Sequence, residues 1–597
     1  MCFGLSRHTI LLFFQEMNMK KLMLGNEAVA RGLYEAGCCF VSSYPGTPST
    51  EITEFAALYP EIHAEWAPNE KVAAEGAFGA SLAGKRSFCG MKHVGLNVAS
   101  DLLFTVSYTG VNAGMIIGVA DDPGMHSSQN EQDSRYYAIA AKVPMLEPSD
   151  SAEALAFTRI AYEISENFDT PVLLRMCTRI AHAQSLAEIG ERAVVPERPY
   201  VKNPSKYIMM PANARPRHPV VESRLARLVE FADSNPINHI ENGSDKSIGI
   251  ITSSTSYQYV KEVCGERYPI LKLGLINPLP VKKIKEFAAG VNQVVVVEEL
   301  DGIIESHCKT LGIKAVGKEL FGNIGELSQN IISEKLGFTV HKGTKLDAAI
   351  PPRPPVMCAG CPHRGLFYTL KRNKLTALSD IGCYTLGAVP PLSASDTCID
   401  MGAGVSSLHG FNKAVPESAK RTVGVVGDST FIHSGVTALI NIVYNDSPAT
   451  VIILDNSITG MTGHQQNPTT GYNLKGDPCA KIDLETLCRA VGVKRVRVVD
   501  PYDLADCDKV IKEEIAVDEP SVVISRRPCA LLKYVRHPGP IATDTAKCTG
   551  CRSCMKIGCP AISVTNGKAC IDRTLCTGCG VCAQLCKFGA LAGKTGE

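Results

Sequence analysis

The 597-residue sequence predicts an α/β protein, several parallel-sheet domains in a row closed by a small cysteine-rich α+β module. Three observations carry this expectation. Short apolar runs alternate with helix-patterned segments over most of the chain, two proline-rich stretches interrupt the alternation, and nine of the 24 cysteines fall between Cys548 and Cys586. Apolar strands separated by helices imply parallel sheets covered on both faces. At about 150 residues per domain the length suggests roughly four domains.

The first α/β domain is expected over 19–220, with strands at Cys38–Ser43, Ser87–Met91, Met115–Ala120 and Val172–Met176 and helices at Asn69–Ala83 and Ser151–Ile164. The proline-rich stretch Val194–Val220 reads as a linker or long excursion at its end. A smaller α/β domain is expected over 245–340, from the strands Ser247–Thr252 and Val294–Glu298. The prolines at 351, 352, 354 and 355 make 341–356 an extended spacer. A third α/β domain is expected over 357–540, and the cysteine module fills 541–597.

Composition narrows the function classes. Hydrophobic residues at 45% and charged residues at 20%, with one tryptophan, Trp66, describe a folded chain and exclude disordered, collagen-like and coiled-coil classes. With 61 basic and 60 acidic residues, no overall field recruits nucleic acid or an anionic membrane. The apolar run Ile10–Phe14 falls far short of the roughly 18 residues a span needs. Met1–Met19 also lacks the apolar centre and cleavage site of a signal peptide. A soluble, cytoplasmic protein is expected, in which clustered cysteines bind metal in preference to forming disulfides. Residues 1–18 carry no motif and are expected to be a dispensable extension.

Two motifs carry chemistry. The strand ending in Gly427-Asp428-Ser429 is followed by a helical pattern, Phe431–Tyr444, and a second buried strand, Thr450–Asn456. In such a βαβ unit ligands sit beyond the carboxyl ends of the strands. Asp428 and Asn456 fall there, and two hard oxygen donors suit a Mg²⁺ bridging to a diphosphate. The second motif is the pair of C-x2-C-x2-C runs, Cys548, Cys551, Cys554 and Cys576, Cys579, Cys582, each with a later fourth cysteine. The second run follows the bacterial ferredoxin spacing, in which the fourth cysteine ligates the other cluster. That assigns Cys548, Cys551, Cys554 and Cys586 to one [4Fe-4S] cluster and Cys576, Cys579, Cys582 and Cys559 to the other, leaving Cys570 over. Zinc modules rarely place three cysteines at every third position twice. Two departures stand out: four residues precede Cys559 where three are usual, and Lys587 follows Cys586 where proline is usual. Two oxidised clusters, at about two negative charges each, would bring this slightly basic module near neutrality, so an acidic carrier is not repelled.

The Gly427-Asp428-Ser429 segment resembles the thiamine diphosphate motif, with serine in place of its second glycine. By that resemblance Asp428, the Asn456 side chain and the Ile458 carbonyl hold the Mg²⁺, and Gly427 and Ser429 line the cofactor. The segment from Asn69 to Gly84 resembles the helix whose glutamate contacts the cofactor's aminopyrimidine. Glu70 matches it, and the carboxyl group promotes the imino tautomer that generates the ylid. Glu75 reads as a solvated helix residue. One half-motif on each α/β domain fits a cofactor held by a pyrimidine-binding and a diphosphate-binding domain.

Further strings, Ser43-Tyr-Pro-Gly-Thr-Pro-Ser49, Asp121 to Asp133 and Cys358-Ala-Gly-Cys-Pro-His-Arg364, extend the match from about Met19 to the tail. Over that length the sequence resembles the 2-oxoacid:ferredoxin oxidoreductases, most closely the branch that acts on indolepyruvate. The resemblance implies a multi-domain thiamine diphosphate-binding α/β fold: a pyrimidine domain (19–220), a transketolase C-terminal-like domain (245–340), a diphosphate domain (357–540) and a 2[4Fe-4S] ferredoxin-like domain (541–597). It implies oxidative decarboxylation of an aryl pyruvate with coenzyme A to an aryl-acetyl-CoA and CO₂, with electrons passed to ferredoxin. Thr47 matches a position near the substrate, and His93 and His126 are candidates for the same cleft. No arginine carries over for the substrate carboxylate, since Asp121 and Asp122 stand in that region. Cys358, Cys361, Cys383 and Cys529 resemble the ligands of a third, proximal [4Fe-4S] cluster, against the alternative that they merely pack around the diphosphate site. The family's γ-type domain is not accommodated, so a separate β subunit and an α2β2 assembly are expected. Other 2-oxo acids stay open as substrates. Two other classes are a non-oxidative thiamine decarboxylase, which has no use for the tail, and an electron-transfer subunit, which has no need of Glu70.

Overall fold

The structure, a computed structural model, describes residues 19–344 and 346–592. The expected dispensable segment 1–18 lies outside them. The chain divides into two compact units, one ending at Lys345 and one starting at Leu346.

The first unit holds fourteen described strands: β1 (Met19–Leu24), β2 (Phe40–Ser43), β3 (His63–Trp66), β4 (Ser87–Lys92), β5 (Met115–Asp121), β6 (Met145–Leu146), β7 (Val172–Cys177), β8 (Gln184–Ile189), β9 (His239–Glu241), β10 (Gly249–Ser253), β11 (Ile270–Leu273), β12 (Leu275–Asn277), β13 (Val294–Val297) and β14 (Ala315–Val316). The main sheet runs β12-β6-β7-β5-β4-β2-β3, parallel except for β12. Every residue of β4, β5 and β7 is buried, which accounts for their largely apolar character. A second sheet, β14-β13-β10-β11-β9, is parallel except for β9. The region read as a separate smaller domain thus lends β12 to the main sheet. Asn277 fastens it there, its amide donating to the carbonyls of Ala138 (3.0 Å) and Val143 (2.6 Å).

The stretch read as a linker is in part a helix. Pro211–Ser234 is a 24-residue helix that passes through Pro216 and Pro219. The prolines leave it short of backbone donors. Side chains tie it to the unit instead: Arg217 donates to the Tyr108 carbonyl (2.6 Å), and buried Arg224 to the carbonyls of Asp169 (2.9 Å) and Ser107 (2.8 Å).

In the second unit, residues 346–356 form no helix or strand. Beyond them lie β15 (Thr376–Ser379), β16 (Thr397–Cys398), β17 (Thr422–Gly427), β18 (Thr450–Asp455), β19 (Arg495–Val499) and β20 (Ser521–Arg526), one all-parallel sheet in the order β16-β15-β17-β18-β20-β19. The order reverses at β15 and β17, so the crevice beyond their carboxyl ends is the expected ligand position. Gly404 lets the helix Ala403–Ala414 lie flat on this sheet, since a Cβ there would stand 2.7 Å from the Leu378 carbonyl. The helix expected over Phe431–Tyr444 is interrupted: a wide π turn occupies Phe431–Gly435 before regular α-helix resumes at Val436. Such turns are frequent at functional sites.

The cysteine module contributes β21 (Ala542–Thr543), β22 (Ile562–Thr565), β23 (Lys568–Ile571) and β24 (Leu591–Ala592), paired β21-β24 and β22-β23. Asn566-Gly567, both with positive φ, makes the tight β22-β23 turn. Its core mixes Ile541, Ile557, Ile562, Val581 and Leu591 with cysteines.

Candidate functional site

In the second unit the carboxyl ends of adjacent strands carry the motif residues. Asp428 follows β17 and Asn456 follows β18, and both are buried, as is Ile458. Asp428 accepts from the Ser429 N–H (2.7 Å) and the Thr469 hydroxyl (3.4 Å). Among the described residues no lysine or arginine pairs with it. Burial, helped by the nearby Asp455 carboxylate, pushes Asp428 up to about 8. A buried carboxylate with no protein cation beside it, next to the Asn456 side-chain amide, is a donor set that fits Mg²⁺. The Asn456 side-chain amide oxygen, Oδ1, accepts from the Ile458 N–H (3.3 Å), which folds the loop so that both residues stay at the strand end.

Sequence reasoning missed two partners here. Asp380 follows β15, is fully buried, and is pushed up to about 8 by burial. It accepts from the Tyr384 hydroxyl and from the Gly402 N–H (3.0 Å), while the Tyr384 oxygen accepts from the Gly427 N–H (3.0 Å). This chain holds the β15 and β17 ends together. An aspartate just past the apolar strand Thr376–Ser379 was the available signal.

In the first unit, Glu70 is the first residue of the helix Glu70–Leu82, capped by Asn69, whose side chain accepts from the Val72 N–H (2.9 Å). Glu70 is 5% exposed, and space for it exists because residue 95 is glycine: a Cβ there would lie 2.6 Å from Glu70 Cγ and Oε1. Glu75 is exposed and pairs with Lys71. Thr47 is half-buried in a loop that abuts Lys92, where a Cβ on Gly46 would stand 3.1 Å from Lys92 Cβ. Lys92 is buried, donates to the Ser127 carbonyl (2.7 Å), and is held down to about 8 by burial against the pull of Asp122. His93 is fully buried, and burial lowers its pKa. His126 is different: its Nε2 lies 2.9 Å from Glu326, which also takes a fork from Arg179.

Asp121 and Asp122, which stand where a substrate arginine was sought, are themselves occupied. Asp121 takes Arg175 Nε at 2.6 Å, and Arg175 reaches on to Glu147, while fully buried Arg135 joins Asp133 and Glu298. Asp122 is held below the usual carboxylate range by Ser128, Ser127 and Thr178. An arginine inside the buried strand Val172–Cys177 was the overlooked signal.

The tail cysteines divide as their spacing implies. Cys548, Cys551, Cys554 and Cys586 line one cavity, and Cys559, Cys576, Cys579 and Cys582 line another. Backbone donors point at several thiols: Ala569 N–H at Cys548 (3.4 Å), Ile541 N–H at Cys576 (3.4 Å) and Ala590 N–H at Cys586 (3.2 Å). Donors of this kind suit thiolate ligands. Cys570 is exposed and lines neither cavity. No three His, Cys, Asp or Glu side chains among the described residues close around a single-ion site. Cys358, Cys361, Cys383 and Cys529 lie within electrostatic reach of one another: Cys358 and Cys529 act on Cys383, and Cys358 and Cys383 on Cys361. Burial pushes Cys361 up to about 12 and Cys383 to about 11. The Cys529 N–H donates to the Asn456 carbonyl (2.9 Å), which ties this group to the Asp428 end of the sheet.

Three stretches of the chain match known families. Residues 31–236 match the family described as "Pyruvate flavodoxin/ferredoxin oxidoreductase, thiamine diP-bdg", residues 380–525 "Thiamine pyrophosphate enzyme, C-terminal TPP binding domain", and residues 569–592 "4Fe-4S binding domain". The chain therefore carries thiamine diphosphate-binding and iron–sulfur domains. It is 40% identical to the indolepyruvate oxidoreductase subunit IorA of Archaeoglobus fulgidus, over 96% of this chain and 97% of that protein. It is 40% identical to the subunit of the same name from Pyrococcus horikoshii, over 98% of each. The 2-oxoglutarate synthase subunit KorA of Archaeoglobus fulgidus is 24% identical, matching 53% of this chain and 97% of its own. Among the described residues no helix is long and apolar enough to cross a membrane. With relatives this similar over nearly their whole length, the chain belongs to the 2-oxoacid:ferredoxin oxidoreductase family, in the group of the indolepyruvate oxidoreductase IorA subunits.

Proposed function

We propose that the chain is the α subunit of an enzyme that converts an aryl pyruvate, indolepyruvate foremost, and coenzyme A to aryl-acetyl-CoA and CO₂ while two oxidised ferredoxins are reduced. The observation that carries this is the presence, in one chain, of a thiamine-type strand-end site and two four-cysteine cavities. A non-oxidative decarboxylase has no electrons to export, and a bare electron carrier has no use for Glu70. Indolepyruvate as the substrate rests on the names of the IorA relatives. The KorA relationship keeps other 2-oxo acids as the second reading.

When bound, thiamine diphosphate supplies the carbon nucleophile and electron sink for decarboxylation. The chain's own groups do the rest. The Glu70 carboxyl holds a proton at a ring nitrogen of the aminopyrimidine. Asp428, the Asn456 amide oxygen and the Ile458 carbonyl would hold Mg²⁺, with Gly427 and Ser429 at the same turn lining the cofactor. Thr47 faces the substrate. Cys548, Cys551, Cys554 and Cys586 would hold one [4Fe-4S] cluster and Cys559, Cys576, Cys579 and Cys582 the other, while Cys358, Cys361, Cys383 and Cys529 would hold a third. A separate β subunit completes an α2β2 enzyme that reduces ferredoxin in the cytoplasm. The domain limits stand at 19–220, 245–340, 357–540 and 541–597.

The test is anaerobic viologen or ferredoxin reduction by indolepyruvate, phenylpyruvate, pyruvate and 2-oxoglutarate, with and without coenzyme A, by the chain co-expressed with its β subunit. Indolepyruvate is expected to lead, and turnover led by 2-oxoglutarate would move the enzyme to the second reading. Iron quantitation of the same preparation is expected to give about 12 atoms per chain for three four-iron clusters. About eight, unchanged by Cys529→Ser, would leave only the two tail clusters. Full activity of the chain alone at monomer size would refute the β-subunit requirement.

A further inference from the structure

Arg364 is a buried cation without a counter-ion. It is the second residue of the helix His363–Arg372 and is 5% exposed. One terminal nitrogen donates to the carbonyls of Ile557 and Gly558, the two residues before Cys559, and the other to those of Met357 and Cys358. Its Nε finds no partner, and among the described residues no carboxylate pairs with it. Four carbonyl dipoles satisfy most of its hydrogens but do not cancel a whole charge, and an isolated buried charge is costly.

The same guanidinium lines the cavity ringed by Cys559, Cys576, Cys579 and Cys582, and Cys361 lines it too. The turn that carries Cys358 and Cys361 is pressed onto this side of the module. Gly360, with φ +69°, leaves no room for a side chain because a Cβ would stand 2.3 Å from the Thr577 hydroxyl, and the Tyr502 hydroxyl donates to its carbonyl. The other cavity also has an arginine in its lining, Arg552, but that residue is exposed and its charge is screened by water. Among the residues that line the two cavities, only the first set includes a buried cation with no carboxylate partner; beside the second, half-buried Lys568 donates to the Cys548 carbonyl.

We infer that Arg364 is the counter-charge of the group seated on Cys559, Cys576, Cys579 and Cys582, and that it sets that group's reduction potential above that of its neighbour. The inference rests on reading these cysteines as cluster ligands. A four-thiolate cluster is anionic and gains one further negative charge on reduction, with no bond made or broken. A fixed positive charge in a low-dielectric wall favours the more negative form. Electrons entering from the side of the Cys358–Cys361 turn are thereby drawn to the first cavity before the second. By clamping carbonyls on both the turn and the residues before Cys559, Arg364 also acts as a positioning residue for the seat itself.

The test uses the complete enzyme with its β subunit, purified anaerobically, as wild type, Arg364→Gln and Arg364→Lys, with iron quantitation and EPR-monitored potentiometric titration. Arg364→Gln is expected to keep the wild-type iron content and to lower one tail-cluster midpoint by at least tenfold in its reduction equilibrium, about 59 mV for one electron. The other tail cluster stays put, and Cys551→Ser identifies it as the one in the second cavity. Arg364→Lys, which keeps the charge without the fork, is expected to restore most of the midpoint. Full iron with both midpoints unmoved in Arg364→Gln overturns the inference. Should glutamine lose the cluster, lysine decides: a wild-type midpoint supports the charge role, and a midpoint lowered tenfold with full iron refutes it. Iron content unaffected by Cys559→Ser or Cys576→Ser would instead sink the ligand reading beneath it.

Discussion

Replacing Gly95 by alanine displaces the Glu70 carboxyl without altering its chemistry. Gly95 is the third residue of the helix His93–Thr109, and a Cβ built on it lies 2.6 Å from Glu70 Cγ and Oε1 and 2.9 Å from Cδ. Ordinary carbon contacts begin near 3.5 Å, so the side chain must retreat by about 1 Å. Overpacking of this size costs about 1–3 kcal/mol, and the helix gains back about 0.5–1 kcal/mol from exchanging glycine for alanine. The protein should therefore stay folded, less stable by about 0–2.5 kcal/mol. A displacement of 1 Å in a positioned catalytic group is worth about 10²-fold in rate. The assay is anaerobic viologen reduction driven by a 2-oxo acid, run alongside a thiamine diphosphate activation titration and the iron–sulfur absorbance. Turnover about a hundredfold lower is expected, with unchanged absorbance. Turnover within twofold of wild type in a folded enzyme would show that the place of the Glu70 carboxyl is not critical and would refute the assignment.

Three further outcomes follow from the same geometry. Glu70→Gln should abolish 2-oxo-acid-dependent electron transfer with the iron–sulfur absorbance intact, while Glu75→Gln stays within twofold because that side chain is exposed beside Lys71. Asp428→Asn should weaken Mg²⁺-dependent thiamine diphosphate binding at least tenfold without lowering the Tm of the cofactor-free protein, since the uncompensated buried carboxylate is gone; a fall in that Tm would show Asp428 to be structural. Glu299 is pushed up to about 7, mainly by burial, and its raised pKa means that the folded state binds a proton more tightly than the unfolded chain. Its contribution is present at pH 4.5 and lost as pH rises through 7, by about 3 kcal/mol at 1.36 kcal/mol per pKa unit. The Tm of wild type should fall relative to Glu299→Gln over that window, and parallel curves would remove Glu299 as the cause.

Local chemistry was legible in the sequence wherever neighbours in space were also neighbours in the chain. The buried strands around Val294, Thr450 and Ser521 announced themselves as apolar runs, and the C-x2-C-x2-C spacing divides the tail cysteines as the two cavities do. What escaped was decided by tertiary partners. Pro216 and Pro219 argue against a helix until Arg217 and Arg224 are seen anchoring one. The three-residue strand Leu275–Asn277 has no signal of its own beyond being apolar, and only the Asn277 amide bonds explain which sheet it joins. Arg175 and Arg135 are conspicuous as charges in buried segments, but their carboxylate partners come from distant segments such as Glu147 and Glu298. Tyr384 likewise links Asp380 to Gly427, which lies 43 positions beyond the tyrosine.

The strand exchange at β12 and β6 bears on how the chain can be divided. The main sheet ends on a strand supplied from more than 120 residues downstream, and Arg135 on the upstream side is neutralised partly by Glu298 on the downstream side. A fragment cut near residue 220 would expose the unpaired edge of Met145–Leu146 and take from buried Arg135 one of its two hydrogen-bonded carboxylate partners, leaving Asp133. The two α/β regions of the first unit are thus one heritable piece. Recombination or proteolysis that separates them breaks the β12–β6 pairing and the Arg135–Glu298 contact, whereas the irregular segment 346–356 offers a cut that severs no strand pairing in either unit.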